Sequence, residues 1–311
     1  MRTVPNCMKY KILKILIFAF LILEVSNIYA KDVDRVPVFY AIVPGGTHFY
    51  DGDMKEGMAF SITEVSLLTI GVLINNKLEK DSRTELNIPL LLASQLYAID
   101  KWRYFQKTQL RFRQKYPNYK SIIRFDSTPL SELLSAPFNP KVISSPLVIT
   151  FAALGVIDGI IVSYSKNNKK YSDISTVVAL NNQMSRKTGT YYYESIVFAI
   201  SYGAAVSEEM MFRGLLLPLL DYKFGKRTGL ITTSLIFGLL HLFNSNINKP
   251  VYFITQATLA GFVFGYHVQR NDYKLSKVIA AHFWYNFVSM TTIWIINPKE
   301  NPLGIGVRFE F

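Results

Sequence analysis

Ser144-Ser-Pro-Leu-Val-Ile-Thr-Phe-Ala-Ala-Leu-Gly-Val-Ile-Asp-Gly-Ile-Ile-Val-Ser-Tyr164 carries a single charged residue, Asp158. An α-helix of this length reaches across the roughly 30 Å of a bilayer's hydrocarbon core, which takes about 20 mostly apolar residues. A carboxylate inside such a run is costly in lipid, so Asp158 is expected to face the interior of a helix bundle. A second apolar run covers Met58 to Leu73, and helical patterns follow over Leu230 to Phe243 and Lys277 to Ile296. Together these define the fold class as all-α, a polytopic helical membrane protein.

Composition agrees. Half of the 311 residues are apolar, and the mean hydropathy is positive, which is unusual for a soluble protein. The formal charge of +12 raises nucleic acid as a partner. The Lys and Arg residues, however, collect between apolar runs and form no stripe, so a lipid bilayer, not nucleic acid, accounts for them. Cys7 is the only cysteine, which removes both a disulfide framework and a thiolate metal site.

The chain divides by pattern into five parts. Residues 1–30 place Arg2, Lys9, Lys11 and Lys14 before the apolar Ile15 to Leu23 and end on Ala30, the layout of a signal peptide or signal anchor. Residues 31–140 form an accessory membrane-associated region. It holds a Pro44-Gly-Gly turn and a charged hairpin at Asp51-Gly-Asp-Met-Lys-Glu-Gly57, similar to small two-helix membrane modules of bacterial proteins. No Glu follows Asp51 and Asp53 at calcium-loop spacing, so the hairpin reads as an interfacial turn. His48 has no ligand at metal-binding spacing and reads as interfacial.

Ile88 to Ile99 is short for a span and reads as re-entrant or packed. Eight Lys or Arg residues within 101–124 suggest a headgroup-facing helix, followed by a linker to Pro140. Residues 141–190 are a transmembrane helix and a polar linker, 191–296 a helical core, and 297–311 a tail. The tail's end, Gly304 to Phe311, alternates like a strand, but one such segment makes no barrel.

From Tyr191 onward, ionisable residues enter long apolar helices. Ser207-Glu-Glu-Met-Met-Phe-Arg213 lies between Ile196-Val-Phe-Ala-Ile200 and Leu215-Leu-Leu-Pro-Leu-Leu220. At 100° per residue Glu209 and Arg213 share a helix face and can neutralise each other. Glu208 points elsewhere and, lacking its own cation in a partly dehydrated site, is suited to general-base work near neutral pH. Phe237-Gly-Leu-Leu-His241 adds an imidazole one turn beyond an aromatic. His282-Phe-Trp-Tyr-Asn286 sets an imidazole and a carboxamide on one helix face. His267, beside Gln269 and Arg270 at a helix end, reads as interfacial.

The order Glu-Glu-x-x-x-Arg at 208–213, Phe-x-x-x-His at 237–241 and His-x-x-x-Asn at 282–286, with Phe212-Arg213-Gly214 and Ser234 to His241 around it, resembles the CPBP family. That family comprises CAAX prenyl endopeptidases of the Ras-converting type and bacterial bacteriocin-processing or immunity relatives. The resemblance implies a multi-helix intramembrane protease core around a water-filled cavity, acting on a peptide or membrane-protein substrate. It implies that Glu208 activates water and His241 shares the water or its proton, while His282 and Asn286 stabilise the oxyanion. Glu209 and Arg213 would give structural support. It leaves a metal mechanism open, with Glu208, His241 and His282 holding zinc or another divalent ion and a fourth position free. The leader and accessory region point to a bacterial inner membrane, where prenylated tails are not expected. Two readings of other classes remain: a non-catalytic scaffold or immunity-type protein that keeps the core, and a transporter.

Overall fold

The computed structural model describes residues 37–78, 87–118, 123–164, 176–179, 182–241 and 250–298. The leader reading at 1–30, Cys7 and the strand-like tail end lie outside the described residues. Helices dominate: α1 (Val38–Ile42), α2 (Gly46–Tyr50), α3 (Met54–Leu78), α4 (Ile88–Lys115), α5 (Leu130–Ser135), α6 (Pro140–Ile143) and α7 (Pro146–Tyr164). After them come α8 (Arg186–Glu209), a π-helical stretch Met210–Leu216, α9 (Leu217–Phe224), α10 (Lys226–Leu240), α11 (Pro250–Arg270) and α12 (Ser276–Ile296). A two-stranded antiparallel ribbon, β1 (Thr176–Ala179) with β2 (Asn182–Ser185), stands where the sequence suggested only a polar linker.

Two of these helices, over Met54–Ile74 and Pro146–Tyr164, are long and apolar enough to cross a membrane. In α10 the large apolar residues Ile231, Leu235 and Leu239 are exposed at four-residue spacing, and in α11 Leu259, Phe262, Val263 and Tyr266 are exposed together. Such stripes need an apolar solvent.

The chain forms two compact units. The second comprises Leu67–Gln95, Leu130–Val206 and the residues from Ser276 on. Its centre is the pairing of α7 with α12, made close by two glycines one turn apart. A Cβ at position 155 would lie 2.6 Å from the Tyr285 carbonyl oxygen, and one at 159 would lie 2.8 Å from that of Ser289. Small residues at four-residue spacing let helix backbones approach in a solvent that offers no hydrophobic drive between them. Asp158, on the same buried face, accepts a hydrogen bond from the Ser289 hydroxyl at 3.0 Å, so the charge in this span does face the bundle. The ribbon buries Val177 against Tyr193, Val197 and Trp294, and Tyr193 stacks on Trp294 at 4.2 Å.

The first unit comprises the described residues up to Ser66 together with Leu96–Pro129 and Ser207–Leu275. Three sequence expectations change here. Residues 88–115 are one continuous helix, α4, and Trp102, Gln106 and Gln109 on it are buried, so it presents only part of its surface outward. The stretch expected as a linker is fastened at Asp126, whose Oδ2 accepts the Leu275 N–H at 2.8 Å and whose Oδ1 caps the Thr128 N–H at 2.8 Å. His48 is not interfacial: it is fully buried, with Nε2 at 2.9 Å from Asp100 Oδ1. Sequence spacing misled because Asp100 is brought to His48 from 52 positions away by α4. The hairpin acids do not stand free, since Asp51 pairs with Arg111, Asp53 with Lys107, and Glu56 with Lys107 and Arg103.

Candidate active site

The Glu208-Glu209 pair ends α8, where the helix widens into the π-helical turns Met210–Leu216. The widening has a local cause. Pro218 has no N–H to offer the Gly214 carbonyl, and Gly214 is itself a weak helix former, so ordinary helical bonding lapses between them. All seven residues of the wide stretch are buried. Such segments recur at functional sites because they re-aim side chains that regular helix would stack. Nothing in the residue spacing announced this one.

Inside the stretch Arg213 is 1 % exposed and its Nη1 donates to Glu209 Oε1 at 3.1 Å, forming the ion pair that four-residue spacing allowed. A buried pair of this kind is tolerated because each charge is the other's solvent. The guanidinium also lies over the Phe237 ring at 4.2 Å, with Phe264 and Phe212 rings at 5.7 and 5.9 Å. Aromatic faces add to the stabilisation of a desolvated cation.

Phe237 joins the first motif to the second. Its ring meets that of Phe212 at 5.0 Å and the His241 imidazole at 4.9 Å, both edge to face. His241 ends α10 and is half-buried. Its Nδ1 sits 2.9 Å from the Phe237 carbonyl oxygen. A carbonyl can only accept, so Nδ1 carries the hydrogen and the Nε2 lone pair is the basic site of the neutral ring. Glu208 is half-buried, unlike the fully buried Glu209, and interacts electrostatically with Arg213.

His282 and Asn286 lie in the second unit, on α12. His282 is buried and Asn286 half-buried. Four-residue spacing keeps them on one helix face, and the same helix is held by the α7 contacts at Tyr285 and Ser289. Thus Glu208, Glu209, Arg213 and His241 share one unit, and His282 and Asn286 share the other. Among the described residues no group of three or more His, Cys, Asp or Glu side chains is gathered to hold a metal ion.

Residues 193–288 match the family model described as type II CAAX prenyl endopeptidase Rce1-like, so this stretch of the chain is similar to that family. That likeness and the two apolar spans are those of an integral membrane protein. No curated protein matches the chain, and no solved structure does.

Proposed function

We propose that the protein cleaves a peptide bond of a peptide or membrane-protein substrate by a water molecule that Glu208 activates. The observation that supports this most is the run Glu209, Arg213, Phe237, His241. It consumes the second acid in a buried ion pair and orients the imidazole, while Glu208, one residue earlier, stays half-buried.

Amide hydrolysis needs a base, a positioned water and donors aimed at the oxygen that becomes negative. Glu208 takes the water's proton. The Nε2 lone pair of His241 shares that water or receives the proton and returns it to the leaving amine. His282 and the Asn286 carboxamide supply donors to the tetrahedral oxyanion, where a low-dielectric setting strengthens each hydrogen bond. Glu209 and Arg213 are positioning residues.

The core 191–296 carries this chemistry and 31–140 serves as an accessory region, in the cytoplasmic membrane of a bacterium. The basic residues that flank the apolar runs support that location.

The test is turnover of a peptide library by the purified protein in detergent. Glu208→Ala and His282→Ala are expected to abolish cleavage while leaving the helical content unchanged. Wild-type turnover in either variant overturns the roles given. Retention of the cellular phenotype by Glu208→Gln would favour the non-catalytic scaffold instead.

A further inference from the structure

Asp158 is the only carboxyl side chain on α7, and the proteolytic reading leaves it unused. It is 8 % exposed, and its Oδ2 accepts the hydrogen of the Ser289 hydroxyl, on α12, at 3.0 Å. Helix packing does not call for this contact. Gly155 and Gly159 already close the seam, since the side chains they lack leave room for the Tyr285 and Ser289 carbonyls. A hydrogen bond between membrane helices contributes less than a carboxyl placed in mid-span costs, so stability alone does not explain the pair.

The direction of the Ser289 hydroxyl is a second observation. Ser163, Thr233, Ser234 and Thr255 each turn back on their own helix and donate to the carbonyl four residues earlier, at 2.6 to 2.8 Å. Ser289 donates across to Asp158. Its side chain is thus oriented by the neighbouring helix.

The third observation is where Ser289 stands. At about 100° per residue it lies about 20° from His282 around α12 and about 60° from Asn286. It is about one turn beyond Asn286 and about two beyond His282. The flank of α12 turned to α8 is a different one. There Phe283 and Phe287 meet the ring of Phe198, and hydrogen bonds at Met290, Thr291 and Trp294 tie the two helices. The Asp158–Ser289 bond stands in line with the imidazole and the carboxamide.

We propose that Asp158 is a positioning residue of the hydrolytic site: through Ser289 it fixes the rotation of α12 about its axis, and so the direction in which His282 and Asn286 present their donors. The proposal rests on the reading of those two side chains as oxyanion donors. Misplacing a catalytic group by about 1 Å lowers turnover by about a hundredfold. Contacts made only in the transition state are lost while ground-state binding is kept, so kcat falls and KM does not.

The experiment compares wild type, Asp158→Leu, Asp158→Asn, Ser289→Ala, Thr291→Val and Glu208→Ala, each full length in lipid nanodiscs. It measures kcat and KM on a library peptide that wild type cleaves, together with the thermal midpoint. Asp158→Leu and Ser289→Ala should lose about ten- to a hundredfold in kcat, with KM and midpoint near those of wild type. Asp158→Asn, whose amide oxygen still accepts the Ser289 hydrogen, should restore turnover. Thr291→Val removes the bond to Glu194 on the α8 flank and should keep kcat.

Wild-type kcat in Ser289→Ala overturns the proposal, and this variant carries the comparison should Asp158→Leu not fold. A loss of activity matched by an equal loss of folded protein overturns it too, as does an equal fall of kcat in Thr291→Val. Wild-type turnover in Glu208→Ala strikes a different target, the water-activating role of that acid. Should no peptide be cleaved, ¹⁵N spectra of the His282 ring and the Asn286 amide decide. Both should shift in Ser289→Ala and match wild type in Asp158→Asn, and spectra unmoved in Ser289→Ala overturn the proposal.

Discussion

The Arg213 guanidinium sits 4.2 Å over the ring of Phe237, whose edge-to-face partner at 4.9 Å is the imidazole of His241. One phenyl ring thus stands between the cation of the first motif and the imidazole of the second. The contact couples the π-helical turn after α8 to the end of α10, so each motif constrains the other.

Removing the cation should be worse than removing the ring. Arg213→Ala strands Glu209 as a buried unpaired charge, a loss of about 3 to 5 kcal/mol in comparable cases. Chemical unfolding of the purified variant, together with its abundance in membranes, checks this. A variant as stable as wild type would mean that Glu209 finds another partner.

Phe237→Leu keeps bulk but removes the aromatic face. The cation–π contribution at stake is about 0.5 to 2 kcal/mol. Stability should fall by that order, and turnover should fall further than stability because His241 loses its neighbour. Equal activity in the variant and wild type would show that the carbonyl contact at Nδ1 alone suffices to orient the ring.

Gly214→Ala tests the packing of α4 on the wide turn. A Cβ at 214 would lie 2.4 Å from Trp102 Nε1 and 2.9 Å from Leu275 Cδ1. Overpacking of this kind costs about 1 to 3 kcal/mol. Trp102→Leu in the same chain should recover part of the loss, measured as a double-mutant cycle in thermal midpoint.

Acid sensitivity has a marker at the hairpin. The hydrogen bond from Lys107, with the Glu56 backbone N–H, lowers the Asp53 carboxyl from 3.8 to about 2. A depressed acid stabilises the fold above its unfolded value and loses that effect as pH falls through the folded one. Wild type should therefore be more stable than Asp53→Asn at pH 5, and the two should converge as pH approaches 2. A constant gap across that range would remove Asp53 from the account.

Several features were legible because they are local. The helix over 146–164, the inward-facing Asp158 and the Glu209–Arg213 pair all follow from helical periodicity and the cost of charge in an apolar medium. Others were not. Residues 88–115 looked like two pieces because their composition changes near Asp100, yet backbone hydrogen bonding ignores that change and runs one helix through it. The π-helical turn depends on what Gly214 and Pro218 leave unbonded in context, and the β1–β2 ribbon on a buried seat for Val177 against Tyr193 and Trp294.

By itself the sequence determined that the chain is helical and built on apolar spans, and it supplied the residues on which the proposed chemistry rests. Apolar run length, helical spacing and the rarity of ionisable groups in lipid-facing helices are properties of short segments. Only the tertiary structure decided that His48 meets Asp100 across 52 positions and that Phe237 stands between Arg213 and His241. Contacts between distant segments are fixed by how helices pack, and no local period encodes that.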